Sequence, residues 1–129
     1  MNPHALSYVS GGSTQPLLGE TLGACFDRIA NRFGEREALV VRHQNIRWTY
    51  RELQRLTNNL AVALLRLGLN PGERIGIWSQ NNAEWLLAQL ATAKAGLILV
   101  NINPAYRGGE LQYALNKVQC RALILSPRF

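Results

Sequence analysis

The chain has few of the residues that usually signal chemistry. Its 129 residues include two cysteines, two histidines and one methionine. Cys25 and Cys120 lie far apart in apolar patterns with no metal spacing, so they read as small core hydrophobes and not as a disulfide or metal pair. His4 falls in a stretch of tail-like composition and His43 in an expected hairpin turn. No acidic pair stands out: Glu52, Glu84 and Glu110 each fall in the first turn of an expected helix, where a carboxylate complements the dipole. There is no Gly-Lys-Ser or Gly-Lys-Thr, no Gly-x-Gly-x-x-Gly and no nucleophile elbow. No apolar run approaches the roughly 18 residues of a membrane span. Met1 to Ser7 lacks the basic start and apolar stretch of a signal peptide, so a cytoplasmic location is expected. The net charge of +6 is spread along the chain, without the clustering a nucleic-acid footprint requires. It favours anionic partners only weakly.

A chain of this length fits at most one domain. Its 47% hydrophobic and 17% charged content is an ordinary globular balance. Residues 1–20, with Gly11-Gly12-Ser13-Thr14-Gln15-Pro16, have the composition of an N-terminal arm or tail. Residues 21–129 read as an incomplete α/β unit. A helix starts near Thr21, a good N-cap, carries Leu22, Cys25, Phe26, Ile29, Ala30 and Phe33 on one stripe, and ends on Gly34 as a C-terminal glycine. Glu37 to Arg42 and Ile46 to Thr49 form an antiparallel hairpin about Gln44-Asn45. Thr49 and Glu52 make a capping box, with Trp48 and Leu53 placed for a hydrophobic staple. The helix they open presents Leu53, Leu56, Leu60, Leu64 and Leu67, then closes on Gly68 before the Pro71-Gly72 turn.

From there strands and helices alternate. Arg74 to Ser79 is a strand, followed by a helix capped by Asn81 that has little polar face and ends at Gly96. Leu97-Ile98-Leu99-Val100 is a continuous apolar run, as in a central parallel strand. A helix from about Gly109 to Val118 and a strand from Ala122 to Leu125 complete the pattern. The expected fold is α/β: a mainly parallel sheet flanked by helices, preceded by a helix and an antiparallel hairpin, with right-handed crossovers. The last strand leaves a sheet edge uncovered, which suggests further polypeptide packing there or self-association through that edge.

Two polar clusters follow strand ends, where α/β folds place ligands. Asn81, Asn82 and Trp85 read either as ligand contacts or as a helix cap with a packed tryptophan. Asn101, Asn103, Tyr106 and Arg107 read either as a turn, which Asn and Pro favour, or as an anion site at a helix N-terminus, where Arg107 adds planar donors. Gly108-Gly109 reads as a flexible turn and not as a phosphate loop.

Five segments in order carry a resemblance: Pro16-Leu17-Leu18-Gly19-Glu20-Thr21-Leu22-Gly23; Arg47-Trp48-Thr49-Tyr50-Arg51-Glu52-Leu53; Gly76-Ile77-Trp78-Ser79-Gln80-Asn81-Asn82-Ala83-Glu84-Trp85; Ala91-Thr92-Ala93-Lys94-Ala95-Gly96; and Val100-Asn101-Ile102-Asn103-Pro104-Ala105-Tyr106-Arg107. Together they resemble the first part of the large N-terminal domain of the adenylate-forming, AMP-binding ligases, in particular the fatty-acyl-CoA synthetases. The resemblance implies a two-step reaction in which a fatty acid or related carboxylate and ATP give an acyl-adenylate, and coenzyme A then takes the acyl group as a thioester. It implies ATP, Mg²⁺ and coenzyme A as cofactors of the full-length enzyme. The family's phosphate loop, ribose-binding acid and catalytic lysine have no counterpart in this sequence. The chain alone is therefore expected to be inactive, to carry no catalytic or metal-binding residue, and to bind none of these cofactors tightly. The resemblance places Asn103, Tyr106 and Arg107 on the coenzyme A side. A stand-alone acyl- or nucleotide-binding module and a non-catalytic interaction protein are the alternatives.

Overall fold

The local signals of the sequence set the element boundaries. The computed structural model describes residues 11–12 and 14–127. Most of the expected arm, and His4 with it, lies outside the described residues. Helix α1 (Leu22–Phe33) starts where the Thr21 hydroxyl accepts the Ala24 N–H at 3.2 Å. Strands β1 (Glu37–Val41) and β2 (Ile46–Thr49) pair antiparallel across a short 3₁₀ turn, Arg42–Gln44, with Asn45 left-handed at φ 53°. At the head of α2 (Tyr50–Arg66) the capping box is complete: Thr49 accepts from the Glu52 N–H, and the Glu52 carboxylate accepts from the Thr49 N–H at 2.8 Å.

Strand β3 (Arg74–Trp78), helix α3 (Ala83–Ala95), strand β4 (Ile98–Ile102), helix α4 (Gly108–Lys117) and strand β5 (Cys120–Leu125) then form a parallel sheet in the order β4-β3-β5. Side chains alternate between its faces. Ile75, paired with Leu99 and Ala122, looks toward α2 and α3 and packs with Ala61, Leu64, Ala91 and Ala95. Gly76, paired with Val100 and Leu123, looks the other way, where α4 brings Leu115. A Cβ on Gly76 would meet Ile102 and Leu123 at 3.0 Å, so glycine is what lets α4 approach. Ile75 and Ile77 are each 1% exposed, and burial of this kind contributes about 1.5–3 kcal/mol per side chain.

Several expectations need correction. The central strand is β3; β4, read as central from its apolar run, is an edge of the described sheet with Ile98 exposed. The cap of α3 is Asn82 and not Asn81, because Asn82 has the extended backbone from which its side chain reaches the Trp85 N–H at 2.8 Å. Gly34 does end α1 as its C-cap, but with a right-handed backbone and not the left-handed one usual for such a glycine; a Cβ there would come within 2.9 Å of the Arg51 guanidinium. The buried stripe of α2 runs through Leu53, Thr57, Ala61 and Leu64, and Leu67 has turned out to solvent. Leu22 is likewise exposed, and Cys25 is only half-buried.

One polar network ties the three N-terminal helices together. Lys94 on α3 pairs with Asp27 on α1 and donates to Asn58 on α2 at 2.6 Å, while Gln54 on α2 donates to Asp27 at 2.6 Å.

Candidate functional site

The three sheet strands run parallel, so their carboxyl ends share one edge. Trp78 is in register with Ile102 and with Leu125, which places Ser79, Asn103 and Ser126 next along that edge. Helices α3 and α4 both begin there. Strand ends combined with helix N-termini are the usual ligand location in open α/β sheets.

The end of β3 is closed by protein groups. Ser79 is buried and its hydroxyl donates to the Gln80 carbonyl at 2.9 Å, while Asn82 Nδ2 donates to Ser79 Oγ at 3.1 Å. Gln44 reaches in from the hairpin turn. Its amide oxygen accepts the Ala83 N–H at 2.7 Å, and its Nε2 donates to Glu84 at 2.8 Å. The first turn of α3 therefore has two side-chain caps, Gln44 and Asn82. Beside them lies a cavity of about 290 Å³ whose lining includes His43, Asn81, Glu84, Ile77, Ile124 and Leu125. Of the expected cluster, Asn82 serves the fold, Asn81 lines this cavity, and Trp85 is half-buried on α3.

The end of β4 is open. Asn103 Oδ1 accepts the Ala105 N–H at 2.9 Å and its carbonyl accepts the Tyr106 N–H at 3.0 Å, so Asn103 builds the turn. Arg107 stands at the N-cap of α4, and its own N–H donates to Glu110 at 2.7 Å. A guanidinium only donates, so no side chain of the N-cap residue accepts from the first turn. The Arg107 guanidinium is exposed and makes no hydrogen bond or ion pair among the described residues. Tyr106 is half-buried. Asn101, on the strand itself, pairs with Ile77 and is exposed.

Away from this edge, burial pushes the Cys120 thiol up against the opposing charge of Arg74, so it is not a reactive thiolate. Among the described residues no group of three or more His, Cys, Asp or Glu side chains could hold a metal ion. No described helix is long and apolar enough to cross a membrane.

Sequence reasoning found the β4–α4 turn and missed Gln44, His43, Ser126 and Pro127. The chain positions that bring Gln44 onto Ala83 are 39 residues apart, and nothing local in the sequence marks that contact.

A family model described as AMP-binding enzyme matches residues 26–128. The chain is 45% identical over 124 residues to the mitochondrial medium-chain acyl-CoA ligase ACSF2 of Mus musculus, and 47% identical over 124 residues to that of Homo sapiens. In each case 96% of this chain and 20% of the relative are covered. The chain thus spans about a fifth of the length of the curated relatives it matches. Among solved structures, the N-terminal subdomain of Klebsiella oxytoca NpsA aligns with a TM-score of 0.78 at 28% identity, covering 84% of this chain and 28% of that one. The N-terminal domain of FACL13 from Mycobacterium tuberculosis shares the fold with a TM-score of 0.80 at 24% identity, covering 82% and 27%.

Proposed function

The chain belongs to the AMP-binding enzyme family, and from that membership we propose that it forms the first part of the large N-terminal domain of an ATP-dependent fatty-acid–CoA ligase. The observation that carries this reading is the match, over nearly the whole chain, to proteins named as acyl-CoA ligases. The proposed reaction joins a carboxylate to AMP with loss of pyrophosphate, after which the thiol of coenzyme A attacks the acyl carbon and AMP leaves. Adenylation turns a poor electrophile into one with a good leaving group.

Among the described residues no group of three or more His, Cys, Asp or Glu side chains could hold Mg²⁺, and Gly108-Gly109 opens a helix instead of a phosphate loop. No step of adenylation is assigned to them. Coenzyme A fits better. The Arg107 guanidinium, unpaired among the described residues, offers planar, charge-assisted donors to a phosphate beside the open N-terminus of α4. Tyr106 adds a phenol, and Asn103 holds the turn that presents both. The half-exposed Ile98 and Leu125 on the two edge strands are proposed contacts for further polypeptide of the ligase or for a second copy.

Two assays test the reading. ATP–pyrophosphate exchange with a series of fatty acids is expected from the product of the native reading frame that contains this chain, and not from residues 1–129 alone. In that product Arg107→Ala is expected to raise the KM for coenzyme A and leave exchange unchanged. An unchanged KM would remove Arg107 from the coenzyme A site.

A further inference from the structure

The junction of α1, β1 and α2 gathers arginines that no element of the fold requires. A cavity of about 420 Å³ lies there, and its lining includes Asn31, Arg32, Phe33, Glu35, Arg36 and Arg51. Three backbone hydrogen bonds fix its walls. The Arg36 N–H donates to the Phe33 carbonyl at 2.8 Å, the Arg36 carbonyl accepts the Tyr50 N–H at 3.0 Å, and the Gly34 carbonyl accepts the Arg51 N–H at 3.0 Å. A side chain at position 34 would crowd the Arg51 guanidinium, so glycine there lets Arg51 lie against the chain.

The charges in this cavity do not cancel. The Arg51 guanidinium pairs with Glu35 at 2.8 Å, which neutralises that carboxylate. Arg32 and Arg36 are exposed and make no ion pair among the described residues; they lie over the Phe33 ring, 5.0 and 5.1 Å from its centre. Three guanidiniums against one carboxylate leave a double positive charge. The helix dipole accounts for Arg32, which sits in the last turn of α1. It does not account for Arg36, which lies beyond the helix and still comes to the same ring. Two like charges held on one ring repel each other, and an anion between them removes that repulsion. Stacking on the ring also restricts both side chains, so less entropy is lost when they grip a ligand.

We propose that Arg32 and Arg36, steadied by Phe33, bind a phosphate dianion or a phosphate monoester in this cavity, with Asn31 as an added amide donor. A carboxylate fills one guanidinium fork with its two oxygens, whereas a phosphate has oxygens and charge for both. The near-double negative charge of a phosphate monoester at neutral pH matches the cavity's excess. A free phosphate compound and a lipid headgroup present the same group. The Arg32–Arg36 pair is independent of the coenzyme A assignment of the β4–α4 turn.

The test is phenylglyoxal footprinting of the product of the native reading frame that contains this chain, read by mass spectrometry at each arginine. Inorganic phosphate is compared with chloride at matched ionic strength, and phosphatidylcholine vesicles carrying phosphatidic acid with phosphatidylcholine alone. Arg42 and Arg66, also exposed, are the internal controls. Phosphate is expected to slow modification of Arg32 and Arg36 several-fold and to leave Arg42 and Arg66 unchanged. In Arg36→Gln the phosphate concentration that half-protects Arg32 should rise roughly 10-fold. Arg36 is exposed, so this variant should keep the wild-type circular dichroism spectrum. Protection by inorganic phosphate supports a free ligand; protection by phosphatidic acid vesicles alone supports a headgroup. No protection of Arg32 and Arg36 by either, or equal slowing at Arg42 and Arg66, overturns the proposal. So does half-protection of Arg32 that Arg36→Gln leaves unchanged.

Discussion

The Asp27–Lys94 pair makes a prediction about which partner matters more. Lys94 has a side chain only 11% exposed, while that of Asp27 is 43% exposed. Removing either partner leaves the other charge behind, but water can solvate Asp27 and can barely reach Lys94. Asp27→Asn strands a nearly buried ammonium against the ring of Phe26, 5.6 Å away, with Asn58 as its remaining oxygen partner. Breaking a fully buried pair costs about 3–5 kcal/mol; the half-exposed geometry and the residual amide oxygens trim this to about 2–3 kcal/mol. Lys94→Met keeps the stem that packs on Gly23 and leaves Asp27 hydrated and still bonded to Gln54, so its cost is about 1 kcal/mol. For a chain of this size each kcal/mol moves Tm by roughly 3–5 °C. The assay is urea denaturation followed by circular dichroism at neutral pH, with thermal melts as a second readout. A loss in Lys94→Met equal to or larger than that in Asp27→Asn would refute the reasoning.

The same network gives a pH dependence. Burial pushes the Asp27 carboxyl up, but the hydrogen bonds from Lys94 and Gln54 and the Lys94 charge outweigh it and hold it below its ordinary value. Its folded-state pKa is depressed, so its stabilisation is present above the unfolded-state pKa and fades as pH falls through the folded one. Acid titration of Asp27→Asn should therefore show a shallower loss of stability below the ordinary aspartate range than wild type. Thr57 is 0% exposed and its hydroxyl finds no partner among the described residues, so Thr57→Val should raise stability by about 1 kcal/mol in urea melts. Gly76→Ala would force its Cβ against Ile102, Leu123 and Leu115, at a cost of about 1–3 kcal/mol by the same assay. Gln44→Ala should cost about 1 kcal/mol and speed amide exchange at Ala83, which loses its acceptor; unchanged exchange there would show that the hairpin does not cap α3.

Local chemistry made much of the fold readable. Thr21, the Thr49–Glu52 box, Gly68 and Gly96 act within a few residues of themselves, and each marks the boundary its sequence pattern indicates. Errors arose where distant packing decided. Apolar content alone does not say which strand of a parallel sheet is central, so β4 took the place of β3. Leucine spacing put the stripe of α2 through Leu67, but α1 and α3 select the face bearing Thr57 and Ala61. The turn after β4 was visible because Asn103, Pro104 and Arg107 are unusual there. Gln44 was not, because its role exists only once the hairpin has folded onto α3.

The central proposal is that this chain is part of an acyl-CoA ligase. It is tested most directly by measuring thioester formation from a fatty-acid series, ATP and coenzyme A with the product of the native reading frame that carries residues 1–129. The account predicts acyl-CoA and AMP in equal amounts for at least one fatty acid, with Arg107→Ala raising the KM for coenzyme A. No thioester with any fatty acid would contradict it.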